Sequence, residues 1–220
     1  MARNFGGVSD RLHVATPAAT AVPLTVSAWM NCDTIAATGT IFSLREDATG
    51  HFFELRAAGG VGGDPIQWRI SGSAAMVAAT TSGYSADVWN HVCGISASST
   101  DHRVFLNGGS KGTDATNTTP NAPTYTEVGA LSSAGSSPFD GDICEVAAWN
   151  VALSDAEVAI LALGYSPLFV QPANLIAYWP IIGRNDPEQD LIGGLGLSDV
   201  VSASASPHTR VIYPGVRRAA

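Results

Sequence analysis

The sequence predicts an all-β chain, an antiparallel two-sheet β-sandwich with one short helix, and three observations carry that expectation. First, apolar residues recur with period two in short runs: Leu24, Val26, Ala28 and Met30 share one face, with Thr25, Ser27 and Trp29 on the other. Second, these runs are separated by turn residues at hairpin spacing, with none of the strand–helix alternation a parallel sheet needs. Third, residues 141–150 read as a strand that passes straight into a capped helix. Ser154 stands three residues before Glu157 as a capping box, Ile160, Leu161 and Leu163 follow, and Gly164 stops the helix. Strict alternation in this strand puts Ile143, Glu145, Ala147 and Trp149 on one face and Asp142, Cys144, Val146 and Ala148 on the other.

The remaining elements follow in order. Residues 41–44 and 51–56 form strands around the turn at 46–50, and 66–70 buries Ile66, Trp68 and Ile70 while exposing Gln67 and Arg69. Residues 88–96 and 103–107 make the next pair, closed by Asn107-Gly108-Gly109, which supplies the positive φ of a tight hairpin. The polar stretch 111–126 reads as an ordered loop at one end of the sandwich. After the helix, 175–179 reads as a strand near an edge, because Pro172 and Pro180 cannot donate to a ladder. Residues 183–199 lose periodicity. The expected organisation is therefore one domain over 1–199, with 200–220 as either a closing strand or a docking arm ending in Arg217-Arg218.

Charged residues make up only 14% of the chain and the net charge is −8, so a surface of Ser, Thr, Ala, Gly and Asn is expected. Such a surface suits docking on another protein or a neutral glycan. Without a basic stripe there is no counterion release to drive binding of nucleic acid. Residues 1–5 lack the apolar core of a signal peptide and no run is long enough to span a bilayer, so synthesis in a host cytoplasm without membrane partners is expected. Cys32, Cys93 and Cys144 show no paired spacing and read as buried free thiols.

Four pieces in order carry a family resemblance: Leu24-Thr-Val-Ser-Ala-Trp29, Trp89-Asn-His91-Val92, Arg103-Val-Phe-Leu-Asn107-Gly108, and Phe139-Asp-Gly-Asp-Ile-Cys-Glu-Val146 leading to Trp149-Asn-Val-Ala-Leu-Ser154. Over roughly residues 1–165 the chain resembles the laminin G-like branch of the concanavalin A-like lectin and glucanase superfamily. The resemblance implies a jelly roll of two packed sheets. It implies no single function, since the superfamily spans lectins, glycosidases, adhesion modules and virion proteins. Where the family commonly has an aspartate before the glutamate of this strand, the chain has Cys144, which removes an oxygen ligand. No cofactor is expected; calcium near Asp140 and Asp142 is the alternative.

Catalysis finds little footing in the residues. By parity Asp142 and Glu145 point to opposite faces, Asp140 and Asp142 straddle Gly141, and Glu54 between Phe52 and Arg56 reads as an ion-paired surface acid. His13, His51, His91, His102 and His208 show no metal spacing, and Gly108–Gly112 and Gly194–Gly196 read as turns. Candidate sugar-binding residues are Trp29, Tyr84 and Tyr125 as aromatic faces, with the amides Asn117 and Asn121. The expected function is that of a non-enzymatic capsid decoration or accessory protein on the virion of a tailed bacteriophage, homo-oligomeric and bound to a capsid or other virion protein. The alternative is a carbohydrate-binding adhesion module for cell-surface glycans; a glycoside hydrolase is the remote one.

Overall fold

The computed structural model describes residues 1–132, 134–200 and 204–214, and within them the short runs assemble into two antiparallel sheets. In chain order the strands are β1 (Ala2–Gly6), β2 (Arg11–Val14), β3 (Leu24–Cys32), β4 (Thr38–Glu46), β5 (His51–Ala58), β6 (Pro65–Ser71), β7 (Ala75–Gly83), β8 (Trp89–Ser98), β9 (Asp101–Leu106) and β10 (Gly109–Asp114). They continue with β11 (Tyr125–Val128) and β12 (Asp140–Trp149), then helix α1 (Asp155–Ala162), a 3-10 turn at Pro167–Phe169, β13 (Leu175–Trp179), β14 (Ser198–Val200) and β15 (Ser204–Ser206). One sheet runs β10-β9-β8-β3-β12-β1-β15, with β13 also on β12; the other runs β14-β2-β11-β4-β5-β6-β7.

The inward faces of the two sheets form one core. Leu24, Val26, Ala28 and Met30 pack with residues such as Phe42, Phe53, Leu55 and Trp68 of the facing sheet. Trp68 donates its Nε1–H to Ser96 Oγ at 2.9 Å, so its polar edge is satisfied inside the sandwich. Gly94 makes room for it, since a Cβ there would lie 2.3 Å from the indole. A second cluster, with Ile95, Phe105, Trp149, Val158, Leu161 and Tyr178, glues α1 to the outer face of the first sheet. Ser154 and Glu157 form the expected capping box, and Gly164 follows the helix at φ 87°.

Alternation in β12 fails at Glu145, which corrects the expected face assignment. Glu145 adopts φ 54°, and the register against β3 slips between Cys144 and Ala147. The slip is a β-bulge, which adds one residue and reverses the parity beyond it. Ile143, Val146 and Ala148 thus lie in the inter-sheet core, whereas Ala147 and Trp149 face the helix. The bulge falls where β12 changes neighbours, from β1 along Asp140–Ile143 to β13 along Val146–Trp149, and the Glu145 N–H donates to Pro180 O at 3.1 Å.

Strands β1, β2 and β7 occupy stretches whose sequence shows no clear strand pattern, and β10 takes the start of the polar stretch expected to be loop. Edge strand β7 is written in small residues, with Met76 and Ala78 inward and Ala75, Val77 and Ala79 exposed. The C-terminal segment adds strands to both sheets: β14 pairs with β2, and β15 pairs with β1. Residues 215–220, with Arg217-Arg218, lie outside the described residues. No helix among the described residues is long and apolar enough to cross a membrane.

Candidate functional site on the outward face of the seven-stranded sheet

Period-two geometry places polar side chains outward between the core residues of the second sheet. Phe52, Glu54 and Arg56 alternate with inward Phe53, Leu55 and Ala57 on β5, and Gln67 and Arg69 alternate with Ile66, Trp68 and Ile70 on β6. Cross-strand register aligns them in rows. His13, Glu127, Ser43, Glu54, Arg69 and Val77 form one row across six strands, a span of about 24 Å between outer strands. A second row runs Tyr125, Arg45, Phe52, Ser71, Ala75, and a third Thr40, Arg56, Gln67, Ala79.

Acceptors, most of them buried, hold the cations of this face in place. Glu54 accepts from Thr40 Oγ1 at 2.6 Å and from Arg69 Nη1 at 2.7 Å, and the Arg69 guanidinium lies over the Phe52 ring at 5.2 Å. Gln67 Oε1 accepts both Nε and Nη2 of Arg56, at 2.9 and 2.6 Å. Asp47 Oδ1 accepts from Arg45 Nε at 3.1 Å and Tyr125 Oη at 2.6 Å. Glu127 contacts His13 Nδ1 at 3.1 Å and lies 3.5 Å from Arg11 Nε. Burial pushes the Glu127 carboxyl up to about 7, with Arg11 opposing, and burial together with Arg11 lowers the His13 imidazole.

The side chains of Glu54 and Glu127 are 0% exposed, whereas those of Arg69 and Arg45 are 27% and 21% exposed. Glu54 is thus ion-paired as expected, but it is a buried acid and not a surface one, and Gln67 lies flat and buried beside Arg56. The layer that reaches solvent consists of guanidiniums, those of Arg69 and Arg45 fixed by carboxylates and that of Arg56 by the Gln67 amide. It can hydrogen-bond to a ligand, while the acids beneath are kept from any glycosidic bond.

The structure divides the residues singled out in the sequence. Only Tyr125 belongs to this face. It is buried against His13, its ring 5.5 Å away, and presents no open platform. Asn121 stands nearby in the exposed loop, its N–H donating to His51 Nδ1 at 3.0 Å and its amide to Thr49 Oγ1 at 3.3 Å. Asn117 is exposed in the same loop. Tyr84 is a correction: it is buried in the inter-sheet core near Cys32 and offers no ring face to a sugar.

Trp29 lies on the opposite sheet, half-buried in a narrow crevice with Ser27, Glu145 and Leu161, its ring edge-on to His91 at 5.5 Å. His91 is wholly buried, and among the described residues neither of its ring nitrogens has a hydrogen-bond partner; burial pushes it down to about 3. Glu145 faces this crevice, so parity does not separate it from Asp142 as expected. Their partners do: Asp142 accepts from Asn4 Nδ2 at 3.0 Å, whereas Glu145 accepts from Tyr178 and Tyr213 hydroxyls at 2.5 Å each and contacts His208 Nε2 at 3.1 Å. Among the described residues no group of three His, Cys, Asp or Glu side chains is disposed to hold a metal ion.

Arg45, Phe52, Arg56, Gln67 and Arg69 were not singled out in the sequence. The signal was present as charged residues at the polar positions of two adjacent alternating runs, but reading it requires the register that sets Glu54 opposite Arg69.

The family model of the concanavalin A-like lectin/glucanases superfamily matches residues 5–159. The chain belongs to this superfamily. Solved structures share the sandwich at low identity. A candidate carbohydrate binding protein from Bacteroides ovatus aligns with TM-score 0.67 and 22% identity over 93% of this chain, which spans 59% of that protein. The native heptameric SAP-like pentraxin from Limulus polyphemus aligns with TM-score 0.59 and 16% identity over 73% of this chain and 81% of its own. The CBM40 of Ruminococcus gnavus IT-sialidase, solved bound to alpha2,3 sialyllactose, aligns with TM-score 0.56 and 12% identity over 74% of this chain and 98% of its own. At these identities the likeness is one of fold. No curated protein sequence matches the chain. None of the solved structures named here is described as a virion protein, so the decoration role rests on the features read from the sequence.

Proposed function

We propose that the chain is a non-catalytic carbohydrate-binding module that holds its ligand on the outward face of the seven-stranded sheet. The observation that carries this reading is a layer of guanidiniums fixed in place across adjacent strands, Arg69 by the buried Glu54, Arg56 by the buried Gln67 amide and Arg45 by Asp47. Saccharides present paired oxygens at regular spacing, and donors immobilised before binding lose little entropy on meeting them. Membership of the superfamily and the carbohydrate-binding relatives support the same reading.

Burial of Glu54 and Glu127 supports binding without turnover, because neither acid reaches the surface. A homo-oligomer, as the sequence suggests, would raise avidity on a repetitive surface. The test is a glycan array probed with the intact chain, with and without calcium, alongside the double variant Arg56→Ala/Arg69→Ala. Binding that weakens in the variant is the expected result; an array without signal in either condition contradicts the reading.

A further inference from the structure

The composition points to a neutral ligand, yet the charge on this face is not spread evenly. Arg56 and Arg69 stand on adjacent strands with a single carboxylate, Glu54, between them, and Glu54 is already bonded to Arg69 and Thr40. Arg56 is held only by the neutral amide of Gln67, and among the described residues no carboxylate lies in ion-pair range of it. Two guanidiniums therefore share one buried negative charge. The half-buried Arg56 is lowered from its ordinary pKa chiefly by burial, with Glu54 pulling it up and Arg69 pushing it further down. Beside the pair, β7 contributes Val77, 43% exposed, opposite Arg69, and exposed Ala79 opposite Gln67. The result is a local cationic spot next to a low apolar shelf, in a protein of net charge −8.

We propose that Arg56 and Arg69 form an anion subsite for the carboxylate of an acidic saccharide, a uronic or sialic acid, whose ring rests on the Val77 and Ala79 shelf. The inference rests on the carbohydrate-binding reading above and names its ligand class. A guanidinium is a planar fork that matches two carboxylate oxygens, and a bond between charged partners is about twice as strong as a neutral one. Gln67 fixes the plane of Arg56 before the ligand arrives. A neutral hydroxyl in the same place would leave the surplus charge uncompensated.

Titration calorimetry of the intact chain with tetragalacturonic acid and with its methyl ester tests this directly, because the two share one skeleton and differ in charge. Sialyllactose against lactose provides a second matched pair. In each pair the acid is expected to bind at least about tenfold more tightly, with affinity falling as sodium chloride rises. Arg56→Ala should remove about that factor and Arg56→Lys restore part of it. Arg103→Ala, whose guanidinium is held by Asp101 on the other sheet, should change nothing. Thermal melting of each variant separates lost binding from lost folding. Equal binding of acid and neutral partner, or of Arg56→Ala and wild type in a folded state, overturns the subsite and leaves the carbohydrate reading standing. Absence of binding to both pairs and to every saccharide of an array removes the two together.

Discussion

The buried Glu127 and its neighbour His13 show how much a single pair on this face depends on protons. The Glu127 carboxyl is raised to about 7 from its ordinary 4.5, so the folded state holds a proton that the unfolded chain releases. Stability from this group is fully present below pH 4.5 and is lost as pH rises through about 7. His13, lowered on folding, acts with the opposite sign, but it is present in both proteins when wild type is compared with Glu127→Gln. The wild type should therefore lose about 2–3 kcal/mol relative to Glu127→Gln between pH 4.5 and 7, measured by urea denaturation. Stability curves that run parallel across that range would contradict the assignment. None of this was legible in the sequence, because Glu127 reads there as an ordinary polar residue before Val128, and its burial comes from cross-strand neighbours far along the chain.

Elements were legible where local chemistry decides the outcome and illegible where a neighbour does. The β3 alternation, the Asn107-Gly108 hairpin at φ 52° and 72°, and the Ser154–Glu157 cap follow from residues adjacent in sequence. The bulge at Glu145 does not, since it exists to let β12 exchange β1 for β13, and no alternation within β12 announces an exchange of partner. β7 is illegible for a related reason: Ala75-Met-Val-Ala-Ala79 is apolar at outward and inward positions alike, so no period-two contrast marks the strand. The bulge also carries a consequence for the C-terminal segment, because Tyr213 and His208 both anchor on Glu145. In Glu145→Ala, amide hydrogen exchange in residues 204–213 should quicken by at least about tenfold while the core strands β3 and β8 stay protected. Unchanged protection there would show that strand pairing alone holds the segment.

At the scale of the whole molecule, the sandwich separates two kinds of surface. The outer face of the first sheet is covered by α1, the 3-10 turn and the C-terminal segment, and Trp29, His91 and Glu145 lie beneath that cover. The outward face of the second sheet carries the ordered polar layer, and β7 leaves its margin low. Fold class and core were readable from period and composition, since both depend on averages over many residues. The site was not, because it consists of pairings between strands distant in sequence, and the aromatic residues chosen as candidates were drawn largely into packing. A backbone amide correlation spectrum of the intact chain, titrated with tetragalacturonic acid, tests the central claim most directly. The account predicts shifts concentrated in residues 52–56, 67–71 and 77–79; shifts confined to the Trp29 crevice or to the 115–124 loop would contradict it.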